Sequence, residues 1–172
     1  MKAIKFDLEF TDASIKDLFK EIDSINKDEN IILYFCSSGG HITTAAQLAD
    51  YINRNKERFT IVIDWECSSA AFLFLCLVNC EVIINNTAFA IIHLISNDIS
   101  YRLVRDRTAY PAFAKKRLDA DRINLLNELT YAGFNKAELK LIDNGQDIII
   151  DSIRMKYVVE KVKAYRRQNN DE

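Results

Sequence analysis

Residues 31–40 read Ile-Ile-Leu-Tyr-Phe-Cys-Ser-Ser-Gly-Gly, an apolar run that stops at two hydroxyls and two glycines. Six apolar residues, several of them β-branched or aromatic, make a buried strand, and the glycines after them mark a turn. From Thr43 to Asn53 the apolar side chains fall at helical spacing, so the stretch reads strand, turn, helix. The same unit stands on either side of it. Upstream, Ala3 to Glu9 alternates as a strand does, and Asp12 to Ile25 sets Ile15, Leu18, Phe19, Ile22 and Ile25 on one helical stripe. Downstream, Phe59 to Asp64 leads through Trp65, Glu66, Cys67 and Ser68 into an apolar helix from Ser69 to Leu77. Short strands follow at Val82 to Ile84 and Ala88 to Leu94. Apolar strands separated by helices predict an α/β fold with a mainly parallel sheet covered on both faces.

After about residue 100 the chain changes character. Arg107 to Tyr131 is charged and helical, with Pro111 marking a start or a kink. Lys136 to Asn144 and Asp151 to Arg167 are helical patterns around a short strand, Ile148 to Ile150. The length of 172 residues, 49% hydrophobic and 28% charged, suits one domain over residues 1–172 that buries roughly two-thirds of its unfolded surface. With 23 basic against 25 acidic residues the net charge is −2, so no strong field draws the protein to nucleic acid or to anionic lipid. Charges among the first seven residues break any secretory core, and the most apolar stretch, Ala70 to Val78, is too short to span a bilayer. A cytoplasmic location is expected, with no membrane and no nucleic-acid partner. Cys36, Cys67, Cys76 and Cys80 form no Cys-x-x-Cys pair and read as free thiols. Cys76 and Cys80 share a helix face without further ligands nearby, so neither a metal nor a cofactor is expected.

In an α/β sheet ligands collect beyond the carboxyl ends of the strands, where backbone N–H groups converge. Two turns lie there. Ser37 to Gly40 could bring backbone amides close to an oxyanion, or could be an ordinary loop. Ser68, at the mouth of the apolar helix, could cap that helix or attack a substrate. His93 ends a buried strand and is one of two histidines, placed either as a general base or as a structural imidazole. His41, directly after Gly40, is the other candidate base.

Taken in order, Ile-Leu-Tyr-Phe-Cys-Ser-Ser-Gly-Gly (Ile32 to Gly40), Cys-Ser-Ser-Ala-Ala-Phe-Leu (Cys67 to Leu73) and Ile-Ile-His (Ile91 to His93) resemble the proteolytic subunit of Clp protease. That family reads Leu-Tyr-Ile-Asn-Ser-Pro-Gly-Gly, Ala-Ser-Met-Gly-Ala-Phe-Leu and Met-Ile-His at the matching places. The resemblance runs from about Ile4 to Asp147 and implies a ClpP/crotonase-type fold with a protruding helical handle at about 107–133. It sets Ser68 on the nucleophile, His93 on the general base and Asp147 on the aspartate that orients the imidazole, with Asp143 as the fallback. Gly40 and the amide of Ser69 match the oxyanion donors, each worth roughly 3–4 kcal/mol to the transition state. The chain departs from the family at Ser38, Ser69, Ala70 and Leu94-Ile95, positions that by the resemblance bear on the substrate groove.

The activity so implied is serine endopeptidase hydrolysis of peptides or unfolded polypeptides inside a homo-oligomeric ring. Two other readings keep the same residues: a catalytically silent subunit of a mixed ring, and a crotonase-type acyl-thioester enzyme without a serine nucleophile. Ile123, Leu126 and Leu129 on the handle form an apolar stripe expected to need a partner subunit. The first strand begins at about Ala3, so the segment by which family members couple to an ATPase unfoldase is expected to be missing. Cleavage without ATP is the corresponding expectation.

Overall fold

The computed structural model describes residues 1–93 and 122–170. Strand β1 (Lys2–Phe6) leads to helix α1 (Asp12–Asp23), β2 (Ile31–Ser37) to α2 (Ile42–Arg54), and β3 (Phe59–Cys67) to α3 (Ala70–Leu77). Strands β4 (Glu81–Ile84) and β5 (Phe89–Ile92) follow. A helical stretch over 122–131 (α4), then α5 (Lys136–Asp143), β6 (Ile148–Asp151) and α6 (Ser152–Asn170) complete the described chain. Residues 94–121, which hold Leu94, Ile95 and most of the expected handle, lie outside the described residues.

The strand order is β1-β2-β3-β5-β6, with β4 alongside β3. Every pairing is parallel except β5 with β6, which is antiparallel from Phe89↔Asp151 to Ile92↔Ile148. The α/β reading therefore holds, with a mainly parallel sheet. Strand β3 has two partners in succession. Thr60 to Ile63 pair with β4, and Glu66 pairs with Phe89 of β5. Strand β3 outruns its expected end at Asp64, because Glu66 and Cys67 gain partners on β5 and β2. Its register against β2 slips between Phe35↔Ile63 and Ser37↔Cys67, and that irregularity turns both strand ends toward the site.

Burial alternates along the strands. Ile31, Leu33, Phe35, Ile61 and Ile63 are buried, whereas Tyr34 and Ile83 are exposed. Among the described residues one face of the sheet is buried, and the other is half-buried at Ile32 and Val62 and exposed at Tyr34. Beneath the strand ends Phe6, Phe10, Phe35 and Phe74 form a chain of rings with centroids 4.9–5.8 Å apart. Such ring pairs favour one geometry and give the turns above them a stiff floor. Leu129 is buried in its own subunit and Leu126 packs against the core. Of the expected handle stripe, Ile123 alone stands exposed, so the stripe does not by itself require a partner.

Candidate active site

The turn after β2 is built by the Ser37 hydroxyl, which accepts the Gly39 N–H at 3.2 Å and folds the chain back on itself. Gly39 and Gly40 both take φ near +120°. That conformation suits glycine, and the surroundings leave no room for anything larger: a Cβ on Gly40 would sit 2.5 Å from the Phe10 carbonyl oxygen. Phe10 N–H donates to the Gly39 carbonyl and His41 N–H donates to the Phe10 carbonyl, at 2.6 and 2.8 Å. Gly40 is thereby laid alongside Phe10 as in a parallel ladder, so its own N–H points to the other edge. Gly40 is part of the wall of a cavity of about 510 Å³.

The turn after β3 presents two hydroxyls in opposite ways. Ser68 is only 2% exposed. Its N–H donates to the Ser37 carbonyl at 3.0 Å, and its Oγ accepts the Ile91 N–H at 2.9 Å. The resemblance places the nucleophile at Ser68, yet Ser68 is not among the cavity's lining residues, and Ser69 is. Ser69 is the N-cap residue of α3, at φ 53° and ψ −124°. It is the one residue other than glycine with positive φ among the described residues. An L-residue held there carries strain of order 1–3 kcal/mol, and strand-to-helix turns of this kind present a serine hydroxyl to solvent. The Ser69 side chain makes no capping hydrogen bond, so the usual task of a serine at a helix mouth is not what holds it.

The amides shift by one residue as well. Ser69 N–H donates to the Ile91 carbonyl at 2.9 Å, which engages the donor matched to the oxyanion hole. The next amide, Ala70 N–H, opens α3 and lies 3.1 Å from where a Cβ on Gly39 would stand, beside the Gly39-Gly40 backbone. The first N–H groups of a helix have no partner within it. No described residue accepts from Ala70 N–H or from Gly40 N–H.

His93 follows β5 directly and lines the same cavity as Ser69, Ala70 and Gly40. The antiparallel ladder of β5 and β6 ends at Ile92↔Ile148, and His93 and Asp147 are the next residues along the two chains. Asp143, at the end of α5, is paired with Arg122 at 2.6 Å. His41 caps α2 without a side-chain bond, is exposed, and is not among the cavity's lining residues. The structure therefore gathers Gly40, Ser69 and His93 at one cavity, whose lining includes neither Asp147 nor the buried Ser68.

From Ser69 the cavity follows α3 past Phe72 and Leu73 to Cys76, about 10 Å along the helix axis. Burial pushes the Cys76 thiol up to about 12, so it is no thiolate at neutral pH. Beside it Arg166 grips Glu128 through two hydrogen bonds of 2.7 and 2.8 Å, joining α6 to α4. Sequence reasoning missed this pair and the Ala70 amide. All four cysteines are free. Among the described residues no helix is long and apolar enough to cross a membrane.

The Clp protease family model matches residues 4–100, more than half of the chain. No curated protein is found to match it. Among solved structures, a mutant of ClpP1 from Listeria monocytogenes is similar in fold, with a TM-score of 0.58 at 17% identity. The likeness covers 91% of this chain and 87% of that one. The strand order, the two turns and the family match converge, and the chain belongs to the Clp protease family.

Proposed function

We propose that the protein is a serine peptidase in which the Ser69 hydroxyl is the nucleophile, His93 the general base and Asp147 the group that orients the imidazole. The observation that carries this reading is the left-handed backbone of Ser69, uncapped and facing the cavity shared with His93 and Gly40. His93 takes the Ser69 proton as Oγ attacks the scissile carbonyl carbon. The carbonyl oxygen becomes an oxyanion between Gly40 N–H and Ala70 N–H. When the C–N bond breaks, the imidazolium returns the proton to the leaving amine, and a water molecule then releases the acyl group by the same steps reversed. Asp147, beyond the same end of the β5–β6 ladder, holds the tautomer that keeps the lone pair toward Ser69. The apolar cavity walls fit the side chains of an extended peptide, and the family supports both peptide substrates and assembly into an oligomer.

The test is hydrolysis of a fluorogenic peptide library by the full chain and by Ser69→Ala and His93→Ala. Each variant is expected to lose about three orders of magnitude or more in kcat/KM, since such groups act as a unit. Undiminished cleavage by Ser69→Ala would overturn the assignment. Activity on acyl thioesters but not on peptides would favour the crotonase-type reading, and inertness toward both would favour a silent subunit.

A further inference from the structure

The cavity that begins at Ser69 and His93 reaches a charge pair for which the reaction has no use. Phe72 and Leu73 of α3 and Leu125 and Leu129 of α4 line its length, and Arg166 and Glu128 border it beside Cys76. Among the described lining residues Arg166 is the one lysine or arginine and Glu128 the one carboxylate. They neutralise each other through Arg166 Nε and Nη2, at 2.7 and 2.8 Å from the two Glu128 oxygens. That grip leaves one nitrogen over. Arg166 Nη1 is buried and has no hydrogen-bond partner among the described residues. A buried donor left unpaired is costly, and an occupant of the cavity that supplies an acceptor recovers that cost. The neutrality of the pair decides which acceptor fits. A carboxylate there would leave one negative charge uncompensated away from water, whereas a neutral oxygen would not. Each Glu128 oxygen also keeps a lone pair that can accept a further hydrogen.

We propose that the Arg166–Glu128 pair makes this cavity a specificity pocket that selects tyrosine over phenylalanine on the acyl side of the scissile bond. A phenol hydroxyl is the neutral group that both accepts and donates: its oxygen takes the Nη1 hydrogen of Arg166 and its own hydrogen goes to Glu128. The ring packs against the apolar walls that lead there. Phenylalanine fills the same space but leaves Nη1 unpaired, and a pocket built to bond a hydroxyl discriminates against the analogue that lacks it. The proposal rests on the peptidase reading above and deepens it by naming the substrate residue. It does not turn on which hydroxyl of the β3–α3 turn attacks, because the pocket is read from a ratio between two substrates.

The test measures kcat/KM of the full-length protein on fluorogenic peptides that differ only in the residue before the scissile bond: tyrosine, phenylalanine, glutamine or glutamate. Wild type is expected to favour tyrosine over phenylalanine by about ten- to hundredfold, the worth of a hydrogen bond to a charged group. In Arg166→Met that ratio should fall to within about twofold of one, since the donor that reads the hydroxyl is gone. Removing Arg166 alone leaves the Glu128 carboxylate, 14% exposed, without its partner. Arg166→Met/Glu128→Leu, which removes both charges, is therefore run beside it and serves as the test if the single variant does not fold. Loss of packing lowers the two cleavage rates alike and preserves their ratio, so a ratio unchanged in both variants would overturn the role of the pair. Equal cleavage of the tyrosine and phenylalanine peptides by wild type would overturn it too, as would a first preference for glutamine or glutamate. Those results leave the peptidase reading standing. A wild type that cleaves none of the four peptides would overturn that reading, and the pocket with it.

Discussion

At the scale of single residues the site depends on backbone conformations that only some positions tolerate. Gly39 has φ +119°, and a Cβ there would lie 2.7 Å from the Ser69 Cβ, too close for either to stay. Gly39→Ala should lower stability by about 2 kcal/mol and displace Ser69. Thermal unfolding should show a fall in Tm of roughly 4–8 °C, and fluorophosphonate acylation should slow at least tenfold. Wild-type values for both would mean that the glycine turn does not shape the site. The turns were legible in the sequence, since the glycine pair and the two serines stand out, and so was His93 as the residue that follows β5. The choice between Ser68 and Ser69 was not. It depends on where α3 begins, and moving a helix start by one residue exchanges a buried hydroxyl for one facing the cavity. The deciding quantity, the φ of 53° at Ser69, has no signature in residue type.

At the scale of elements the strand-turn-helix units were legible because apolar runs and helical stripes carry them. The long β3 was not, because Asp64 and Glu66 break the apolar run, and Glu66 and Cys67 are held in the strand by partners distant in sequence. That one face of the sheet is less covered than the other among the described residues was hidden for a similar reason: Ile32 and Tyr34 are apolar whether or not they are covered. At the base of α6, Arg154 joins elements through Glu138 of α5, with hydrogen bonds of 2.7 and 3.0 Å, and lies 4.4 Å from the centre of the Phe134 ring. The guanidinium bonds of Arg154, aided by the Asn135 N–H, hold the Glu138 carboxyl below its usual value of 4.5. The group is more acidic folded than unfolded, so its contribution is complete above about pH 4.5 and is lost as pH falls through the lowered value. Wild type should therefore lose thermal stability more steeply than Glu138→Gln as pH falls below about 4.5, as followed by circular dichroism. Parallel curves for the two proteins would show that the pair does not couple α5 to α6.

For the whole molecule, apolar side chains left in solvent bear on assembly more than the handle stripe does. Ile149, Ile153 and Tyr157 are 69%, 76% and 52% exposed, and all three lie on the β6–α6 segment that bears Asp147 at its start. Exposed apolar groups gathered on one segment favour association. Light scattering at micromolar concentration should find an oligomer, and Ile149→Glu with Ile153→Glu should shift it toward monomer; a monomeric wild type would contradict the proposed assembly. The proposed function rests on one claim, that catalysis passes through Ser69. Its most direct test is peptide mapping by mass spectrometry of the full-length protein after reaction with a fluorophosphonate. A single adduct on Ser69, absent from His93→Ala over the same interval, is the result expected; an adduct on Ser68, or on no serine of the turn, would contradict the account.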